Sequence, residues 1–274
     1  MPILISGGDS FTWGSELPDQ YLDYEKNIPS QLTWSAKISQ HYNMDYNCVA
    51  KPGSGNNSIS RRVIAEVAKQ SKIHDEIYVA VMWTYTHRSE IRLRKEKPFI
   101  DINNDPVVAA RFDIDNYWIN LNAWHGLTFK EKMSFFKDDL HPERHEFFKQ
   151  QHDKMTELGI TDAANYFYKV TGDYHYHQFN LLKEINLLQF YLQSKNIPYF
   201  FCLASDEILN PLPEVVNDSG LWETVNWNNW YKEHAFNNWS QKNNYPLCGS
   251  HPSEAAHVDW FNLILPKINA CFTK

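Results

Sequence analysis

Three short apolar stretches, Pro2-Ile3-Leu4-Ile5, Ile77 to Met82 and Tyr199 to Ala204, alternate along this chain with segments that are apolar at helical spacing. Trp34, Ile38 and Tyr42 fall four apart in a helix expected from about Ser30 to Tyr42. Ile59, Val63, Ile64 and Val67 share one face of the next, and Leu181, Ile185, Leu188 and Leu192 make a third stripe that stops at Asn196. Strand and helix taken in turn predict a parallel sheet with right-handed crossovers. The expected class is α/β, a three-layer α/β/α arrangement around a central parallel sheet. At 274 residues, a single domain over residues 1–274 is the natural size for one core.

Between about 92 and 176 the regular alternation stops. This stretch is rich in aromatic, charged and asparagine residues, including Trp118, Trp124, Phe135, Phe136 and Phe147. It reads as a largely helical, aromatic-rich cap or insertion, with helices around 142–158 and 161–170 expected over the catalytic edge and the aromatics forming a satellite core. Downstream, Trp222, Val225, Trp227, Trp230, Tyr231 and Trp239 are assigned to a further helix. The last helix is expected to start at Pro252, with Ala256, Trp260 and Leu263 on the sheet and His251 at its positive end.

Composition narrows the function. A formal charge of −7 argues against a surface that tracks phosphates, so nucleic acid is not an expected partner. The basic run from Arg88 to Lys97 contains Glu90 and Glu96 and reads as a solvated face. The four cysteines, Cys48, Cys202, Cys248 and Cys271, contain no Cys-x-x-Cys pair and read as reduced thiols. Cys248, His251 and His257 match no common metal-site spacing, so neither a metal nor another cofactor is expected. No stretch reaches membrane-spanning length, and no secretory signal opens the chain. A cytoplasmic protein with no membrane partner is the expectation.

The chemistry concentrates at the two ends. Gly8-Asp9-Ser10-Phe11-Thr12 follows the first strand, where reactive groups of open α/β sheets collect. Thr12 stands where a Gly-x-Ser-x-Gly elbow requires its second glycine, which excludes that motif. Asn47 to Asn57 supplies Gly53, Gly55 and Asn56, open backbone N–H groups beside an amide, the donors that acyl-transfer oxyanions need. Near the C-terminus stands Ser250-His251-Pro252-Ser253. A serine, a donor loop and a histidine together suggest a serine hydrolase.

In order as well as content, these blocks resemble the SGNH (GDSL) hydrolase superfamily. The similarity is strongest to a divergent branch, often encoded by phages, with Gly-Asp-Ser-Phe-Thr-Trp-Gly, a Pro-Gly-x-x-Asn loop and a Trp-Thr-x-x-x-Arg-x-Glu segment, here Trp83 to Glu90. It covers roughly the first ninety residues and the last thirty, and implies an SGNH/flavodoxin-like fold. The resemblance implies Ser10 as nucleophile and first oxyanion donor, Gly53 as second donor and His251 as base. Tyr85 and Arg88 are candidate substrate contacts, and a phage origin implies possible association with a virion.

The chain departs from the family pattern twice. The usual block-three asparagine falls within Trp83-Thr84-Tyr85-Thr86, which leaves Asn56 or Tyr85 to substitute for it. The usual aspartate three residues before the histidine is Cys248. Asp259 lies roughly 12 Å along a helix from His251 at about 1.5 Å per residue, so Asp206 and Glu207, just after the strand that ends at Ala204, are the better-placed orienting acids, alongside a backbone carbonyl. The expected activity is hydrolysis of acyl esters, including O-acetyl carbohydrate esters, through an acyl-Ser10 intermediate. The substrate class is then a small-molecule or glycan ester. Transfer of the acyl group to another hydroxyl, and a non-catalytic binding or virion protein on the same fold, are the rival readings.

Overall fold

A computed structural model describes residues 1–20, 28–92, 118–121, 126–134, 142–171 and 173–273. Its centre is a four-stranded, all-parallel sheet in the order β2-β1-β3-β6. The strands are β1 (Ile3–Gly7), β2 (Asp45–Cys48), β3 (Ile77–Trp83) and β6 (Tyr199–Leu203). Two further strands, β4 (Ser89–Arg92) and β5 (Trp118–Leu121), pair antiparallel outside this sheet.

Both faces of the sheet are covered, and the continuous apolar runs of β1, β3 and β6 follow from that. Side chains alternate along each strand. Ile5, Val79, Val81 and Phe201 meet α3 (Asn56–Gln70) and α7 (Tyr174–Ser194) through Ile59, Val63, Leu181 and Ile185. Leu4, Ala80, Met82 and Phe200 meet α2 (Trp34–Tyr42) and α10 (Glu254–Phe272) through Trp34, Ile38, Trp260 and Ile264. The Ile, Val, Leu, Phe and Met side chains among these contribute about 1.5–3 kcal/mol each when fully buried. The layers are α/β/α, as the alternation predicts.

The chain leaves β1 for β2 on one side and returns past β1 to β3 on the other. In open α/β sheets ligands bind outside the carboxyl ends of the strands at such a reversal, here the carboxyl end of β1. The short helix α1 (Ser10–Trp13) stands there.

In the region assigned to the insertion, the described helices are α4 (Phe129–Ser134), α5 (Pro142–Glu157) and α6 (Ile160–Thr171). Leu121, Met155, Ile160 and Ala164 form a small core of their own, with Ile91, Phe167 and Tyr168 packed against it. Trp124, Phe135 and Phe136 lie outside the described residues, as does the Phe147 side chain.

Three local expectations are corrected. The helix placed at Ser30 begins at Trp34, because the Asp19 carboxylate accepts from the Ser30 hydroxyl and the Gln31 N–H and holds those residues in a turn. Thr33 then caps α2 by accepting from Ala36 N–H. After α8 (Pro213–Ser219), the single helix assigned across Trp222 to Trp239 is instead a 3-10 turn at Trp227–Asn229, an irregular stretch and α9 (Phe236–Lys242). The Asn226 side chain accepts from Asn228 N–H, and Tyr231 N–H donates to Phe201 O, so backbone groups that a helix needs are taken locally and by β6. Finally, His251-Pro252 is not the start of the last helix. It forms strand β8, paired antiparallel with β7 (Leu247–Cys248), and Ser253 is the N-cap residue of α10.

Among the described residues, no helix is long and apolar enough to cross a membrane.

Candidate active site

Asp9 fixes the turn that carries Ser10. Its side chain is fully buried. One carboxylate oxygen accepts from Phe11 N–H at 3.0 Å, and the other from the Thr84 hydroxyl at 2.6 Å and from Arg88 Nη1 at 2.7 Å. Arg88 also donates to Thr84 Oγ1 at 3.0 Å and lies 4.7 Å from the centre of the Tyr85 ring. The aspartate therefore ties the carboxyl end of β1 to the segment after β3. Ser10 follows as the first residue of α1, largely buried, and its N–H and hydroxyl make no hydrogen bond among the described residues.

The Gly/Asn loop is fastened to the same edge. Val49 N–H donates to Ser6 O at 2.8 Å and Lys51 N–H to Gly8 O at 3.3 Å. A turn from Lys51 to Ser54 then places Gly53 at φ 76°, in the left-handed region that suits glycine. No atom lies within 4 Å of where a Gly53 side chain would begin, and its N–H is unpaired among the described residues. Gly55, by contrast, donates to Asn120 Oδ1 of β5 at 3.3 Å.

Asn56 does something other than the oxyanion role expected of it. Its Oδ1 accepts from Thr84 N–H at 3.0 Å, while Nδ2 donates to Thr84 O at 3.3 Å and Tyr85 O at 3.1 Å. Both amide hydrogens are used on backbone carbonyls. The residue clamps the segment after β3. Tyr85 has its hydroxyl on Asn237 Nδ2 at 3.2 Å, and burial, followed by the Asp9 charge, raises its pKa.

His251 comes to this edge from the β7–β8 hairpin. Its ring lies edge-on to Phe11, the residue after Ser10, with centroids 5.5 Å apart. Nδ1 is 2.8 Å from Glu16 Oε2. The same oxygen accepts from Ser250 N–H at 2.6 Å and the Ser250 hydroxyl at 3.1 Å. Nδ1 also lies 3.1 Å from the Ser250 hydroxyl, and a proton held on Nδ1 towards the carboxylate would leave the lone pair on Nε2.

The expected orienting acids are engaged elsewhere. Asp206 accepts from Ala235 N–H at 2.9 Å, and Glu207 accepts from Thr86 N–H at 2.9 Å and the Thr86 hydroxyl at 2.8 Å. Asp259 accepts from the Tyr245 hydroxyl. Glu16 carries no local sequence signal, since its partner is 235 positions away. His257 is buried on α10, accepts from Trp34 N–H at 3.3 Å, and is pushed down to about 3 by burial and then by the neighbouring His251.

Among the described residues, no three His, Cys, Asp or Glu side chains are grouped to hold a metal ion. Compared with protein-family models, with curated proteins and with solved structures, the chain finds no match.

Proposed function

We propose that this chain is a serine esterase of the SGNH type, with Ser10 as nucleophile and His251 as base. The sheet order, in which β1 is flanked by β2 and β3, agrees with a flavodoxin-like arrangement. The observation that carries the reading is a convergence from opposite ends of the chain. Ser10, with its hydroxyl and N–H unengaged among the described residues, shares the carboxyl edge of β1 with the His251 ring, which packs on Phe11.

In this reading the Ser10 proton passes to His251 Nε2 as Oγ bonds to the acyl carbon. Nε2 then returns the proton to the departing alkoxide. Water repeats the cycle, releasing the acid and restoring Ser10. The N–H groups of Ser10 and Gly53 are the donors for the oxyanion, and a lost donor of this kind typically costs about 10²–10³ in kcat. Asn56 is not among them.

The test is turnover of a short-chain nitrophenyl ester together with fluorophosphonate labelling. Wild type is expected to turn over and label, Ser10→Ala to do neither, and His251→Ala to lose turnover. Absence of both signals in wild type would favour a non-catalytic protein on this fold.

A further inference from the structure

The catalytic reading leaves the imidazole without its usual acid, since Cys248 occupies that place. We propose that Glu16 is the positioning acid of this site: its carboxylate holds His251 with Nδ1 protonated and balances the imidazolium that forms as Ser10 is deprotonated. This inference rests on the esterase reading above.

Five features of the molecule support the assignment. The Glu16 side chain is 11% exposed and its oxygen is 2.8 Å from Nδ1, a charge-assisted distance. The same oxygen is fixed by Ser250 N–H and the Ser250 hydroxyl, so the carboxylate is held by the segment that carries the histidine. Glu16 adopts φ 67°, uncommon for a glutamate, and such conformations collect at functional sites. Buried Leu17 anchors the chain directly after it. Finally, a Cβ on Gly249 would lie 2.5–2.8 Å from the Glu16 carboxyl atoms. At φ 63° this glycine both makes the hairpin turn and leaves room for the acid.

The acid thus comes six positions after the nucleophile instead of shortly before the base. The nucleophile block and the histidine hairpin are joined through one oxygen. No other carboxylate among the described residues hydrogen-bonds His251, and Asp206, Glu207 and Asp259 have the partners given above.

The experiment compares wild type with Glu16→Gln, Glu16→Asp, Glu16→Ala and Gly249→Ala, using nitrophenyl ester kinetics, denaturant unfolding and ¹⁵N NMR of the His251 ring. In serine proteases an asparagine in place of the triad aspartate lowers kcat by about 10⁴. For Glu16→Gln a fall in kcat on the order of 10³-fold is expected, with KM little changed. Glu16→Asp should recover part of it. Gly249→Ala, which removes no chemical group, should lower kcat as well by displacing the carboxylate. In Glu16→Ala the Nδ1–H tautomer of His251 should lose its dominance. Unchanged kcat in Glu16→Gln, or an unchanged tautomer in Glu16→Ala, overturns the proposal. If wild type neither turns over nor labels, the esterase reading fails; the tautomer comparison still decides for or against the Glu16–His251 pairing.

Discussion

Asp9 and Arg88 are joined at 2.7 Å with the carboxylate wholly buried and the guanidinium side chain 18% exposed. The pair lies directly beside the proposed nucleophile, because Asp9 also receives Phe11 N–H and the Thr84 hydroxyl. Its value for the fold lies in what removal of one partner leaves behind. A buried carboxylate without its cation is far costlier than the intact pair is stabilising.

Arg88→Met is therefore expected to destabilise the protein by about 3–5 kcal/mol. Asp9→Asn in the same background should recover part of that loss, since the uncompensated charge is gone. Urea unfolding of the two single variants and the double variant measures both. A loss below about 1 kcal/mol for Arg88→Met would place the pair with exposed ion pairs and remove it as the support of the Ser10 turn.

Asn56 gives a prediction of a different kind. Its three hydrogen bonds to the backbone of Thr84 and Tyr85 make it a clamp, so Asn56→Ala leaves Thr84 N–H and Thr84 O without that partner at roughly 1–3 kcal/mol each, while Tyr85 O keeps Arg88 N–H. The expected outcome is a net loss of about 2–3 kcal/mol, with any fall in kcat following the loss of folded protein. Unaltered stability with a kcat reduced about 10²-fold would return the residue to the oxyanion.

How far the sequence reveals this molecule depends on how local the deciding interactions are. The central strands are legible because burial on both faces demands uninterrupted apolar residues, and α3 and α7 are legible because one face meets the sheet. The segment from Trp222 to Trp239 is not, because its aromatics sit at helix-compatible spacing while Asn226 and the edge of β6 take the backbone groups. Pro252 suits the first turn of a helix as well as it suits a short edge strand, and the pairing with Leu247 decides it. Ser10, Gly53 and His251 stand in short blocks with their own signals. Glu16 stands in none, since its role is set by a contact between opposite ends of the chain.

Trp260 is the point where that misread segment is held. Its ring lies 5.3 Å from Tyr231, 5.4 Å from Phe236 and 5.3 Å from Trp239, and it is fully buried. Trp260→Ala is expected to cost about 3–5 kcal/mol, and Trp260→Phe clearly less. Chemical denaturation measures the cost, and a near-neutral Trp260→Ala would mean that α10 and the 230–239 segment pack independently.

His257 ties stability to pH. Trp34 N–H is one of the unpaired donors at the start of α2, and it finds its acceptor in His257 Nδ1. Protonation would abolish that acceptor and place a charge in the core, next to His251 and against the Phe236 ring. The folded protein therefore resists protonation of His257 down to about 3, whereas the unfolded chain takes up the proton near 6.5. Between those values the unfolded state binds more protons, so stability rises with pH, is complete above 6.5 and is lost as pH falls below it. The slope from this group approaches about 1.4 kcal/mol per pH unit. His87 and His177, also lowered by burial, act in the same sense, so the informative quantity is a difference between proteins. His257→Asn keeps an acceptor for Trp34 and removes the titration. Denaturant midpoints from pH 7.5 down to 4.5 should fall less steeply in His257→Asn than in wild type, and parallel profiles would show that His257 does not carry the linkage.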